Sequence, residues 1–171
     1  MKALVVYESM FGNTERIARA VADGLQDTFD VTVADVAGMP PAIGMDLVVI
    51  GGPTHAFAMS RPSTRAEATH RGSVRENAVD VGIREYLACS PLLLGTAAAA
   101  FDTKVDKPFL PGSAARKAQR QLRRLRCRVV APAQSFLVAD TTGPLVAGEE
   151  LRAKRWGAQI AAAVEAAQHK V

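Results

Sequence analysis

The stretch Lys2-Ala3-Leu4-Val5-Val6-Tyr7-Glu8-Ser9-Met10-Phe11-Gly12-Asn13-Thr14-Glu15-Arg16-Ile17-Ala18-Arg19-Ala20-Val21 decides how the rest of the chain is read. Its opening run is apolar and rich in β-branched residues, which predicts a strand over residues 2–7. From Asn13 or Thr14 onward the period changes, and Ile17, Ala18, Val21 and Leu25 share one side of a helix. Between the two lies a loop with two hydroxyls, a glycine and the unpaired backbone N–H groups of a positive helix end. Such a loop is a cradle for a phosphate. An N-capping Asn13 or Thr14 beside a turn glycine explains the same residues without a ligand. The loop holds no Lys, which excludes a nucleoside-triphosphate P-loop, and it lacks the three glycines of the dinucleotide fingerprint.

The alternation of strand and helix patterns continues along the chain. Strands are predicted over 31–36, 46–50, 95–101 and 127–138, the last bent at Pro132. Helices are predicted over 81–89, 113–126 and 148–168, while residues 61–75, with Arg61, Arg65, His70 and Arg71, read either as a lid or platform for an anionic substrate or as a solvated surface loop. Leu47-Val48-Val49-Ile50 is unbroken enough to be buried on both faces, and Gly51-Gly52-Pro53 should end that strand. Five strands alternating with helices, without a repeat or a long linker, predict an α/β fold in a single domain spanning 1–171. In open parallel sheets ligands bind beyond the carboxyl ends of the strands, which directs attention to the loops after strands one, three and four.

Composition limits the function classes. With 49% hydrophobic and 22% charged residues among 171, the chain is neither a disordered tail nor a fibrous repeat. Cys89 and Cys127 are too far apart for a zinc or iron-sulfur spacing, so no metal site is expected, and a reducing, cytoplasmic location is. Cys89 reads as part of a buried helical face. The longest late apolar run, 91–101, is about half a membrane span, so no membrane partner is expected. Charge is uneven: residues 61–128 carry fourteen Lys/Arg against six Asp/Glu, while residues 1–60 carry three against seven. The basic segment could face an acidic partner or be a solvated surface. No recognition motif accompanies its arginines, so no nucleic acid is expected. No Ser/His/Asp order suggests a hydrolase, and no catalytic residue is assigned.

At this point a resemblance becomes specific. An apolar pair, an aromatic, a spacer, Ser, two residues, Gly, one residue, Thr, then Ala and an apolar residue on the following helix make the phosphate-loop pattern of the flavodoxin family. Val5, Val6, Tyr7, Ser9, Gly12, Thr14, Ala18 and Val21 occupy those places. The resemblance implies a flavodoxin-like three-layer sandwich with a five-stranded parallel sheet in the order 2-1-3-4-5. It also implies an FMN cofactor, its phosphate on Ser9, Met10, Phe11, Gly12, Asn13 and Thr14. The ring is then expected between the loop holding Pro53, Thr54, His55 and Phe57 and the loop holding Phe101, Asp102 and Thr103. Read without the resemblance, His55 is an ordinary loop residue, Phe57 a core plug and Asp102 a turn cap.

Departures from the family sharpen the functional question. The single Trp156 lies in the last helix, and Tyr7 and Tyr86 lie away from the loops, so ring stacking falls to His55, Phe57 or Met59. No glycine occurs between Pro53 and Gly72, so a peptide flip needing positive φ at His55 or Ala56 is costly. The sequence pI of about 9.4 contrasts with the acidity usual in the family and argues against a basic docking partner. The resemblance implies an electron carrier serving a redox protein or a small acceptor. Its alternatives are an FMN-dependent NAD(P)H oxidoreductase of the quinone type and a flavin-free interaction module. Oligomeric state is left open.

Overall fold

A computed structural model describes residues 1–55, 57–73 and 80–169. In chain order they form β1 (Lys2–Tyr7), α1 (Asn13–Leu25), β2 (Asp30–Asp35), a 3-10 turn (Val36–Gly38), β3 (Leu47–His55) and β4 (Ala58–Met59). There follow α2 (Pro62–Ala68), α3 (Ile83–Cys89), β5 (Ala97–Val105), α4 (Ala114–Arg124), β6 (Arg128–Val129), β7 (Gln134–Val138) and α5 (Glu149–Gln168).

The sheet runs β2-β1-β3-β5-β6, with every pair along this path parallel. β7 takes over from β6 farther along the same side of β5, and β4 folds back antiparallel on β3. With β6 and β7 counted as one interrupted strand, this is the expected 2-1-3-4-5 order. Pro132 falls in the interruption, where a residue without an N–H cannot serve the ladder.

Alternation along β1 divides the core between two faces. Ala3, Val5 and Tyr7 pack toward α1 and α5, with Ile17, Val21 and Ile160. Leu4 and Val6 pack toward α3 and α4, with Ile83, Leu87 and Leu122. On the first face Phe101, Phe136 and Trp156 meet edge to face, their centroids 6.0–6.2 Å apart. Such contacts add about 0.5–1.5 kcal/mol each beyond the area they bury.

Four sequence expectations need correction. β3 does not stop at Ile50 but continues through Gly51, Gly52 and Pro53, which pair with Phe101, Asp102 and Thr103. A Cβ at Gly51 would sit 1.9 Å from Phe101 Cζ, so the glycine lets the ring lie across the strand. Residues 101–105 are therefore not a loop: they form the second half of β5, flanked by β3 and β7. Residues 62–68, read as part of a solvated stretch, form α2, whose Arg65 is fully buried. Cys89 is exposed, because Ile83, Tyr86 and Leu87 already define the inward stripe of α3. Among the described residues, no helix is long and apolar enough to cross a membrane.

Candidate functional site

A cavity of about 440 Å³ opens at the carboxyl ends of β1, β3 and β5. This lies within the usual range of small-molecule sites, and its place follows from sheet polarity.

Its floor is the loop between β1 and α1. Gly12 takes φ 94°, ψ −11° and directly precedes α1, with no side chain capping the helix. The left-handed turn costs a glycine little, and it leaves the first amides of α1 directed at the cavity end. Gly12 N donates to Ser9 Oγ at 3.0 Å, so the Ser9 hydroxyl keeps its own proton to donate. Thr14 Oγ1 and Thr103 Oγ1 are 2.7 Å apart and both residues are buried. One hydroxyl of that pair donates to the other, which leaves one proton for a third group. Asn13 Nδ2 donates to the carbonyl of Thr142 at 3.2 Å, tying the loop to the segment before α5.

The end of β3 supplies the next wall. Pro53, Thr54 and His55 line the cavity, and Phe57 follows at the tip of the β3–β4 hairpin with φ 68°, half exposed. A non-glycine residue in that conformation stores about 1–3 kcal/mol of strain, and such strain gathers at ligand sites. The positive φ thus falls on Phe57. Ala56, one of the two positions weighed for a peptide flip, lies outside the described residues.

Burial pushes the His55 imidazole down to about 4, aided by the charges of Arg65 and Arg71 and opposed by Glu67. The cavity therefore sees a neutral ring with one donor and one acceptor at physiological pH. Because the folded value lies below the unfolded one, this group's contribution is complete above about 6.5 and fades as pH falls toward 4. At about pH 5 the loss should be roughly 2 kcal/mol. Urea titrations of wild type and His55→Asn at neutral pH and at about pH 5 test this; equal pH dependence in the two proteins would refute it.

A third wall was not legible in the sequence. Thr64, Glu67, Ala68 and Arg71, on α2 and just behind it, line the cavity, as do Lys104, Val105, Val138 and Thr141. Arg61, Arg65 and Arg71, following the loop after the third strand, were the hint of the α2 wall. Among the described residues, no group of three His, Cys, Asp or Glu could hold a metal ion.

No family model matches the chain, and no curated protein matches it significantly. Solved structures do. A flavodoxin from the domain Archaea superposes with a TM-score of 0.68 at 24% identity, over 96% of this chain and 99% of that one. Flavodoxin 1 of Bacillus cereus gives 0.67 at 19% identity, over 94% and 97%. A Streptococcus pneumoniae TIGR4 flavodoxin gives 0.66 at 20% identity, over 95% and 99%. The chain has the flavodoxin fold.

Within this flavodoxin fold the residues named from sequence divide into two groups. Ser9, Met10, Phe11, Asn13, Thr14, Pro53, Thr54, His55, Phe57 and Thr103 border one cavity, and Gly12 shapes its floor. Phe101 and Asp102 do not line it. Phe101 points into the core beside Phe136 and Trp156. Asp102 is fully buried, and its Oδ2 accepts from Thr54 Oγ1 (3.0 Å), Ser113 Oγ (2.6 Å) and Ala115 N (2.9 Å). It fixes the start of α4 and orients Thr54. Met59 is buried in the opposite core, so the rings that border the cavity are Phe11, His55 and Phe57.

Proposed function

We propose that the chain binds FMN in this cavity and carries electrons between a redox protein and an acceptor. The observation that carries the reading is the set of spare donors on the floor: the Ser9 hydroxyl, the Thr14–Thr103 hydroxyl pair and the uncapped start of α1. Buried hydroxyls with a proton left over call for an acceptor, and a phosphate monoester supplies several oxygens. The donor set fits that group, with Ser9 and Thr14 on the phosphate and Pro53, Thr54, His55 and Phe57 alongside the ring. When bound, the flavin supplies the redox chemistry, while the chain supplies orientation, shielding and local charge. His55, held neutral, contributes hydrogen bonding without adding charge there. Two unbridged cysteines suit a reducing cytoplasmic setting.

An absorbance titration with FMN tests the binding. Thr14→Ala and Ser9→Ala should each weaken affinity roughly tenfold, since each deletes a hydrogen bond to a charged oxygen. Unchanged affinity in both would refute the phosphate placement, and a protein that stays colourless would refute the flavin. Reduction only through a separate reductase supports the carrier. Unaided oxidation of NADPH would instead make the protein an oxidoreductase.

A further inference from the structure

The phosphate loop lacks a cation of its own, yet the fold brings one to it. Arg71 lines the cavity together with Ser9, Asn13 and Thr14. Its neighbour Gly72 is seated on the loop: a Cβ there would lie 3.4 Å from Phe11 Cε1 and 3.3 Å from Thr142 Cγ2. Thr142 is the residue whose carbonyl holds Asn13. Gly72 thus packs against Phe11 and against the residue that holds Asn13, while the charge of Arg71 also reaches His55.

The guanidinium is held by a contact that is easily given up. Arg71 Nη2 meets Glu67 Oε1 at 3.3 Å, one helical turn back, and the two side chains are 56% and 65% exposed. A solvated pair of this length contributes little. A monoester carrying about −1.5 to −2 charges offers Arg more charge and a matching bidentate geometry. Among the described residues the cavity's other cation is Lys104, and it is placed differently. It follows Thr103 on β5, and successive side chains leave a strand on opposite faces. Thr103 faces Thr14, so Lys104 departs from the other side.

We propose that Arg71 is the counter-cation of the FMN phosphate, exchanged from Glu67 to the monoester on binding, and that it makes this site select FMN over riboflavin. This rests on the FMN reading above. It assigns Arg71, just behind α2, a defined duty: bringing to the cavity charge that the loop after β1 cannot supply.

Flavin fluorescence titrations with FMN and with riboflavin, at low and moderate salt, test it. Arg71→Gln should weaken FMN roughly tenfold and leave riboflavin within about twofold. Glu67→Gln should tighten FMN a few-fold without touching riboflavin, because the competing carboxylate is gone, and Arg71→Lys should recover part of the FMN affinity. The effect of Arg71→Gln should shrink as salt rises. Equal weakening of both flavins, or no change in FMN affinity, overturns the proposal while leaving FMN binding intact. A wild-type protein that binds neither flavin overturns the FMN reading itself, and this proposal with it.

Discussion

Arg65→Met should cost the folded state about 3–5 kcal/mol, with a larger loss at about pH 7.5 than at about pH 5. Arg65 is fully buried on α2. Its Nη1 donates to Ser60 Oγ at 2.8 Å and its Nη2 to Glu85 Oε1 at 3.0 Å. Ser60 Oγ in turn donates to Glu8 Oε1, and Ile83 N donates to Glu8 Oε2 at 2.8 Å. One guanidinium therefore joins the residue after β1, the wall formed by α2 and the start of α3. Removing it leaves a buried carboxylate without its compensating charge, which is what makes the loss large. The pH dependence follows from Glu8. Burial already raises its carboxyl above the usual range, while the bonds from Ser60 and Ile83 and the Arg65 charge restrain it. Without Arg65 it rises further. A group whose folded value exceeds its unfolded one contributes stability fully below the unfolded value, about 4.5, and loses it as pH climbs through the folded value. The deficit of the variant should thus shrink on acidification. Adding Glu8→Gln to Arg65→Met should recover part of the loss, since no carboxylate then remains to be compensated. Denaturant titrations at the two pH values decide it: a deficit independent of pH, or no deficit, removes this network from the account.

The network was invisible in the sequence for a physical reason. Glu8 and Arg65 are 57 positions apart, and Arg65 belongs to a stretch of alternating charged and small residues that looks solvated. Whether such a charge is buried depends on partners delivered by the sheet, not on local period. The loop between β1 and α1 was legible because its signal is local: a β-branched run, a turn glycine and a helical stripe within about twenty residues. Phe101 and Asp102 mark the boundary between the two cases. The four alanines over residues 97–100 look like a complete short strand, so the residues after them look like a loop. The pairing of β5 with both β3 and β7 extends it to Val105, and alternation then decides which side chains reach the cavity. Thr103 does, beside Thr14; Phe101 and Asp102 are spent on the core and on the α4 cap.

Gly157→Ala should lower stability by about 2–3 kcal/mol and the melting temperature by roughly 5–10 °C. Helix propensity alone predicts the opposite sign, since alanine is favoured over glycine in a helix interior by about 1 kcal/mol. Packing decides the outcome. A Cβ on Gly157 would lie 2.3 Å from the carbonyl oxygen of Val21 and 3.2 Å from the Cα of Gly24. One on Gly24 would lie 2.0 Å from the carbonyl oxygen of Lys154. The two glycines face each other, so α1 and α5 touch backbone to backbone, and neither obstruction can be relieved by a rotamer change. Either substitution must push α1 away from α5, and α1 carries Asn13 and Thr14 at its other end. The Thr14–Thr103 contact of 2.7 Å should therefore loosen, and FMN affinity should fall along with stability. Gly38→Ala is the control, because nothing lies within 4 Å of a Cβ there. Its effect should stay within about 0.5 kcal/mol. A melting temperature for Gly157→Ala at or above that of wild type would mean that the two helices are free to separate, and that the position of α1 at the cavity floor is set by the sheet alone.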